Sequence, residues 1–206
     1  MIYRILFIIM KIGVFGSIGV GKSSLSKILS EKFNLKLIEE PVITNPYIDK
    51  YYENPKKYGI KFQMRFLISR YEYVNIKLNT DNDNFILDRT FYEDKIFADV
   101  NYNIGNINDC DYKNLYMPYY NLMKDKIIKL DKIIYLSASV KKLMERIKKR
   151  GREYEKSIKE DYLQELEIGY EKSYNELKNS GIDIIKVDWE EFDNDKVIDL
   201  ISCCSL

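Results

Sequence analysis

The segment Gly16 to Ser24, GSIGVGKSS, is the part of the chain whose residue types and spacing most directly indicate chemistry. It fits the pattern G-x-x-x-x-G-K-[ST] at every position, with an apolar run before it and a helical pattern after it. The glycines let backbone N–H groups turn inward around an anion, while Lys22 reaches the β- and γ-phosphates and the Ser23 hydroxyl binds Mg²⁺. The segment therefore predicts a site for a nucleoside triphosphate with Mg²⁺. The predicted phosphate-binding residues are Gly16, Ser17, Ile18, Gly19, Val20, Gly21, Lys22, Ser23 and Ser24.

Charged residues follow the next two apolar runs, where the carboxyl ends of parallel strands would place a substrate. Glu39 and Glu40 end one run, and Asp88-Arg89 ends another. Neighbouring strand residues point to opposite faces, so only one of the two glutamates can face the site. The chain has no histidine, so any general base must be a carboxylate. Asp88 is predicted to be an acid in the outer coordination shell of Mg²⁺.

Two helical patterns carry polar residues that could meet a substrate. Gln63 and Arg70 lie seven residues apart and share one helix face, although spacing alone is more typical of an apolar stripe with two polar residues at its edge. Arg146 and Arg150 lie four apart on another predicted helix, and Arg152 follows its end. Three arginines around a helix end can clamp phosphates as a closing lid, but by themselves they are more typical of a solvated face.

The elements that must position these residues alternate along the chain. Five strand-length apolar runs are separated by helical patterns of ten or more residues, which indicates an α/β fold with a parallel sheet and helices on both faces. The runs are Ile12–Phe15, Leu35–Ile38, Phe85–Leu87, Ile133–Leu136 and Ile182–Val187. With no repeats and no Ser/Gly-rich linker, residues 1–206 are predicted to form a single domain. Residues 1–9 are either an upstream extension with the true start at Met10 or an extension of the first strand.

The charge balance and the cysteines exclude several classes of protein. Lys+Arg number 33 and Asp+Glu 32, which leaves no basic field for duplex nucleic acid. Cys110, Cys203 and Cys204 lack the spacing of a metal site or a disulfide framework, so a reducing, cytoplasmic compartment is expected. No apolar run reaches the length needed to span a membrane.

Taken together, these segments resemble the deoxyribonucleoside kinase family, in the branch with deoxyadenosine, deoxyguanosine and deoxycytidine kinases. GSIGVGKSS resembles the family's phosphate loop, and EEPV with NPYIDKYYENPKKYGIKFQMRFLISR resembles its acceptor pocket. DRTFYED and YLSASVKKLMERIKKRGREYE resemble the acid-Arg-Ser/Thr stretch and the lid. The resemblance runs from Lys11 to about Val187. It implies the P-loop kinase fold, a five-stranded parallel sheet flanked by helices with an arginine-rich lid.

The resemblance also implies roles for the acceptor residues. Glu40 would be the general base for the 5′-hydroxyl, and Arg89 would steady Glu40 and the transferring phosphate, whose charge Lys22 helps to neutralise. Gln63 would hydrogen-bond the edge of the base. Arg70 and Asp94 would form a pair that completes base recognition.

The sugar and the lid are assigned in the same way. Tyr52 and Glu155 would hold the 3′-hydroxyl, although Glu153 could stand in for Glu155. Phe62 and Tyr92 would be walls of the pocket. The lid residues that would close over the phosphates are Arg146, Arg150 and Arg152.

The implied reaction is ATP-dependent phosphorylation of a deoxyribonucleoside at its 5′-hydroxyl, with Mg²⁺, in nucleoside salvage. Deoxyadenosine is the favoured substrate, followed by deoxycytidine or deoxyguanosine. The resemblance also implies a homodimer. A nucleoside monophosphate kinase similar to thymidylate kinase is an alternative, but it would need an arginine rather than Glu39-Glu40 beside the acceptor phosphate. A non-catalytic nucleotide-sensing module is a second alternative, against which the presence of Lys22, Glu40 and Arg89 argues.

Overall fold

A computed structural model describes residues 10–39, 45–77 and 84–202. The described residues form a five-stranded sheet in the order β2-β3-β1-β4-β5, and every pair of neighbouring strands is parallel. The strands are β1 (Lys11–Phe15), β2 (Lys36–Ile38), β3 (Phe85–Asp88), β4 (Lys132–Ser137) and β5 (Ile184–Asp188). The predicted α/β class and the five predicted strands are confirmed, with ends that differ by one or two residues.

Helices cover the sheet and connect its strands. Their bounds are α1 (Lys22–Phe33), α2 (Ile48–Glu53), α3 (Pro55–Lys77), α4 (Tyr92–Asn103), α5 (Asp109–Asp111), α6 (Met117–Lys124), α7 (Val140–Arg150), α8 (Glu160–Asn179) and α9 (Asn194–Ser202). A π-helical turn, Tyr112–Tyr116, joins α5 to α6, and a 3₁₀ turn, Glu153–Glu155, lies between α7 and α8. No helix within the described ranges has both the length and the apolar composition needed to cross a membrane.

The central strands are apolar along their length because helices pack on both faces of the sheet. β3 and β4 bury Phe85, Ile86, Ile133 and Ile134 completely. Phe15 of β1 and Tyr135 of β4 belong to an aromatic cluster, in which their rings meet edge-on with centroids 5.2 Å apart. This packing fixes the strands, and hence the loops that follow them.

The register of β1 and β3 brings two predicted functional segments together. Val14 pairs with Asp88, so the phosphate loop after β1 and the Asp88-Arg89 segment leave the sheet at the same edge. The backbone N–H of Arg89 donates to the Val14 carbonyl at 3.1 Å. Several predicted features, namely residues 1–9, Glu40, Cys203 and Cys204, lie outside the described residues.

Candidate active site

A cavity of about 690 Å³ opens at the carboxyl edge of the sheet. Its lining brings together residues that are far apart in the sequence. Of the predicted site residues, the lining includes Ile18, Gly19, Gly21, Lys22, Ser23, Ser24, Tyr52, Phe62, Gln63, Arg70, Asp88, Arg89, Asp94, Arg146, Arg150, Arg152 and Glu155. Glu39 also contributes to the lining, whereas the described lining does not include Tyr92, which was predicted as a pocket wall.

The phosphate loop has the backbone that its glycines permit. Gly19 and Gly21 adopt φ angles of +83° and +108°, which lie in the region that side chains disfavour. The Lys22 ammonium is buried and donates to the carbonyls of Gly16 at 2.6 Å and Ser17 at 2.9 Å. The loop thus places a cation and the free N–H groups at the N-terminus of α1 beside one another, which suits a polyphosphate.

Polar side chains from α3 and α4 also line the cavity. The Arg70 Nε donates to Asp94 Oδ2 at 2.8 Å, and both side chains are buried. Gln63 is also buried, and its Nε2 has no hydrogen-bond partner among the described residues. Because an unpaired buried amide is costly, this group is suited to a polar ligand in the cavity.

Aromatic side chains form the walls between these polar groups. The Phe62 ring stacks on Tyr51, with centroids 4.2 Å apart, and meets Phe66 edge-on at 4.9 Å. Tyr52 lies next to this group and stacks on Tyr154 at 5.9 Å. Burial raises the pKa of Tyr52 well above its ordinary value, so its hydroxyl keeps its proton and can both donate and accept hydrogen bonds.

Arg89 and Asp88 also line the cavity. Arg89 is a non-glycine residue with φ +81°, and its guanidinium lies over the Phe97 ring at 4.8 Å. Asp88 is buried, and its Oδ1 has no hydrogen-bond partner among the described residues. An unpartnered carboxylate oxygen in a cavity that Ser23 also lines fits the donor set that Mg²⁺ prefers.

The lid contributes a carboxylate as well as cations. Arg150 holds Glu155 through Nε at 3.0 Å and Nη2 at 2.7 Å, and Arg152 Nη1 lies 3.6 Å from the same carboxylate. Glu155 is buried, whereas Glu153 is 84% exposed and pairs with Lys156. Of the two acids considered from the sequence, Glu155 is the one that lines the cavity.

Arg146 connects the lid helix to the phosphate loop. Its guanidinium donates to the carbonyls of Val20 at 3.2 Å and Trp189 at 2.8 Å, and lies 4.3 Å over the Phe192 ring. Phe192 is 58% exposed and lines the cavity beside Gly21. Phe192 is not predicted from the sequence, because an aromatic residue after the last strand belongs to no motif.

Glu93 is fully buried next to the site and is not predicted from the sequence either. Its carboxylate accepts hydrogen bonds from the backbone N–H of Thr90 at 2.6 Å and of Gly16 at 3.3 Å. The spacing of Thr90 and Glu93 matches the T-x-x-E pattern of a helix capping box. That pattern could have identified the bond to Thr90, but not the bond to Gly16.

A phosphate loop, an aromatic pocket with unpaired polar groups and a set of arginines surround one cavity at the carboxyl edge of a parallel sheet. Fold and site together define a P-loop phosphotransferase. A family model described as "Deoxynucleoside kinase" matches residues 12–202, and the chain belongs to the deoxynucleoside kinase family, whose activity is the phosphorylation of deoxynucleosides.

Characterised relatives cover most of the chain. It is 35% identical over 181 residues to the deoxyadenosine kinase of Dictyostelium discoideum, covering 88% of this chain and 73% of the relative. It is 34% identical over 191 residues to the deoxyguanosine kinase of Bacillus subtilis, covering 88% and 87%. The structure of deoxyadenosine kinase from M. mycoides with bound dCTP superposes with a TM-score of 0.83 at 38% identity, covering 96% of this chain and 100% of that one.

Proposed function

We propose that the chain transfers the γ-phosphoryl group of ATP to the 5′-hydroxyl of a deoxyribonucleoside and that deoxyadenosine is its preferred substrate. The observation that carries the proposal is that two different sets of binding residues line one cavity. The phosphate loop suits a nucleoside triphosphate, and the Gln63 and Arg70–Asp94 groups suit a base. Relatives named deoxyadenosine kinase support the choice of deoxyadenosine, and others are named deoxyguanosine kinase.

The base would be recognised by hydrogen bonds to Gln63 and Asp94, which both line the cavity. Gln63 offers one acceptor and two donors, so its amide can pair with adenine, guanine or cytosine. Asp94, held by Arg70, is an acceptor for an exocyclic amino group. Thymine presents a carbonyl at the corresponding edge. The carbonyl and the Asp94 carboxylate are both acceptors, so neither would gain a hydrogen bond from the other. We therefore infer that thymidine is the poorest of the natural deoxynucleosides.

The sugar would lie against Tyr52 and Glu155. Both line the cavity, and the bidentate pair with Arg150 fixes the Glu155 carboxylate, which is then available to accept from a 3′-hydroxyl. The Tyr52 ring would pack under C2′ and leave little room for a 2′-hydroxyl. Deoxyribonucleosides should therefore be better substrates than ribonucleosides.

The chemical step would need positioning and charge neutralisation more than covalent chemistry. Glu40 is the proposed general base, because a carboxylate must take the proton of the 5′-hydroxyl in a chain without histidine. Lys22 and Arg89 would neutralise charge on the transferring phosphoryl group. A neutral nucleoside meets Glu40 without like-charge repulsion, which favours it over a nucleotide as acceptor.

The donor would be ATP with Mg²⁺. The Ser23 hydroxyl and the Asp88 carboxylate would hold Mg²⁺, directly or through water, with phosphate oxygens completing its shell; the ion lowers the charge of the polyphosphate when bound. The lid arginines, Arg150 and Arg152, would approach the phosphates while keeping Glu155 in place. The exposed ring of Phe192 offers a surface on which the donor base can stack.

A homodimer is the proposed assembly. Leu115, Tyr119 and Leu122 are large apolar side chains with exposures of 38%, 46% and 56%. Their spacing of four and three residues places them on one side of the helical segment, which supports a second copy as the partner. A Tyr119→Lys/Leu122→Glu variant should elute as a monomer in light-scattering chromatography, and a wild type that is itself monomeric would refute the proposal.

We also propose a cytoplasmic location, supported by cysteines without disulfide spacing and testable by cell fractionation.

An ADP-release assay tests the activity directly. ATP and Mg²⁺ are supplied with each of the four deoxynucleosides, adenosine and thymidine monophosphate. We expect turnover with deoxyadenosine above that with the other acceptors, and thymidine as the slowest deoxynucleoside. Turnover confined to the monophosphate would indicate a nucleotide kinase, and no ADP release with any acceptor would indicate a nucleotide-sensing module. Equal catalytic efficiency with adenosine and deoxyadenosine would contradict the sugar assignment.

A further inference from the structure

The buried carboxylate of Glu93 joins two loops that leave the sheet from different strands. Its Oε2 accepts from the Thr90 N–H at 2.6 Å, directly after the Asp88-Arg89 segment. Its Oε1 accepts from the Gly16 N–H at 3.3 Å, at the first residue of the phosphate loop. Gly16 lies 77 residues earlier in the chain, so a single side chain connects the loop that holds the donor to the segment that carries Arg89.

The Tyr170 hydroxyl on α8 completes this arrangement. It donates to Glu93 Oε1 at 2.9 Å and accepts from Arg89 Nη1 at 3.2 Å. Arg89 Nη1 also lies 3.5 Å from Glu93 Oε1. The guanidinium is thus held on one side by a hydroxyl and a carboxylate, and its face lies over Phe97.

Arg89 needs such support because its backbone is strained. A non-glycine residue at φ +81° is strained and persists only where its surroundings over-determine it. Phosphoryl transfer is sensitive to the placement of positive charge, because a group displaced by about 1 Å loses a large part of its effect. Side chains that fix the Arg89 guanidinium would therefore affect the chemical step more than substrate binding.

We propose that Glu93 and Tyr170 are positioning residues, which hold the Arg89 guanidinium at a fixed place relative to the phosphate loop for phosphoryl transfer. This inference rests on the proposed role of Arg89 in the reaction. A helix-capping role of Glu93 explains the bond to Thr90 but not the bonds to Gly16 and Tyr170. The Tyr170 hydroxyl has no part in capping, so a substitution of Tyr170 tests the positioning role without changing the cap of the helix.

The first experiment compares Tyr170→Phe with Tyr135→Phe. Both tyrosines are buried in one aromatic cluster, and each hydroxyl donates to a glutamate, Tyr135 to Glu171 at 2.8 Å. We expect Tyr170→Phe to lower kcat by about tenfold, with KM for deoxyadenosine and ATP within about threefold of wild type. Tyr135→Phe should leave kcat within about twofold of wild type. It should lower Tm by about as much as Tyr170→Phe does, because each variant loses one buried hydrogen bond. Equal effects of the two variants on kcat would overturn the proposal.

Glu93→Gln gives a second measurement. The amide keeps the shape and one acceptor, but it turns two hydrogens toward groups that themselves donate. We expect kcat to fall by at least about tenfold, with a smaller change in KM. If Glu93→Gln does not fold, Tyr170→Phe carries the test alone.

A double-mutant cycle decides whether the two residues act through Arg89. In an Arg89→Ala background, Tyr170→Phe should lower kcat by less than about twofold, because no guanidinium remains to be positioned. A full tenfold loss in that background would overturn the positioning role. Arg89→Ala with wild-type kcat would instead show that the proposed function of Arg89 is wrong. The two failures are therefore distinguishable.

Discussion

At the scale of single residues, the site combines groups that are satisfied by the protein with groups that are not. Arg70 and Asp94 neutralise one another, whereas Gln63 Nε2 and Asp88 Oδ1 are buried without a hydrogen-bond partner among the described residues. Leaving such atoms unpaired costs about 1–3 kcal/mol each. A ligand that supplies the missing partners recovers that energy, so these atoms mark where base and metal are expected to bind.

The base for the reaction can be tested by a pair of neighbouring substitutions. We predict that Glu40→Gln lowers kcat by at least about a hundredfold with little change in ATP affinity, because a neutral amide cannot take the proton of the 5′-hydroxyl. Steady-state kinetics with a separate nucleotide-binding titration provides the measurement. Glu39→Gln is the matched control. Glu39 is exposed and lines the cavity, so it is the other candidate for the base. A large loss of kcat in Glu39→Gln with near-normal kcat in Glu40→Gln would reverse the assignment.

Base specificity can be tested by removing both members of the Arg70–Asp94 pair. We expect Arg70→Met/Asp94→Ala to raise the efficiency with thymidine relative to deoxyadenosine by at least about tenfold, because the acceptor that opposes the thymine carbonyl is lost. The ratio of kcat/KM for the two substrates is the readout. The single variants are controls for stability, since each removes one charge of a buried ion pair and should melt at a lower temperature than the double variant. An unchanged ratio in the double variant would refute the specificity role of the pair.

At the scale of elements, the phosphate loop and the lid helix α7 are in direct contact. A Cβ placed on Gly19 would lie 2.7 Å from Ile147 Cγ1 and 3.1 Å from the Leu143 carbonyl oxygen. Both neighbours belong to α7, which also carries Arg146 and Arg150. A change in the loop must therefore move the helix that presents the lid arginines.

We predict that Gly19→Ala raises KM for ATP by at least about tenfold, because the methyl group meets α7 and the φ of +83° disfavours a side chain. Gly181→Ala is a matched control. Gly181 has a similar φ of +85°, but nothing lies within 4 Å of its added Cβ. It should lower Tm through backbone strain while leaving KM for ATP unchanged. An equal rise in KM in both variants would show that contact with α7 is not the cause.

Local patterns predicted the elements well, and contacts between distant residues explain what they missed. The seven-residue spacing of Gln63 and Arg70 placed them on one helix face, but only the packing of α3 shows that this face lines the cavity. Glu93 matches a capping pattern, yet its bond to Gly16 depends on the pairing of β1 and β3. Phe192 lines the cavity in contact with the Arg146 guanidinium, and no local pattern encodes such a contact.

At the scale of the whole molecule, a second cluster of charged groups interacts with the phosphate loop. Glu167 on α8 is largely buried, and its carboxyl interacts with Ser17 and Lys22 of the loop. Burial raises the pKa of the Glu167 carboxyl to about 7, and Glu171 acts in the same direction. Ser17, Lys22 and Lys186 partly oppose the shift. Both α8 and the loop contribute to this cluster, so its protonation affects the stability of the fold.

The sign of the pH dependence follows from these positions. In the unfolded chain the Glu167 carboxyl ionises near its ordinary pKa, whereas the folded protein holds its proton up to about pH 7. Between these pKa values the folded state binds more protons, so the Glu167 contribution to the free energy of unfolding falls as the pH rises through this window. At pH 8 the carboxylate is charged in both states, and its burial destabilises the folded state. At pH 4.5 most of that penalty is absent.

We therefore predict that Glu167→Gln, a neutral replacement of the same shape, raises Tm by a few degrees at pH 8 and by much less at pH 4.5. Thermal melts of wild type and variant across this range, followed by circular dichroism, provide the measurement. Glu176→Gln on the same helix is the matched control. Because Glu176 is exposed, its substitution should leave the pH dependence of Tm as it is in wild type. A Tm difference between wild type and Glu167→Gln that stays constant from pH 4.5 to 8 would show that the raised pKa of Glu167 does not contribute to stability.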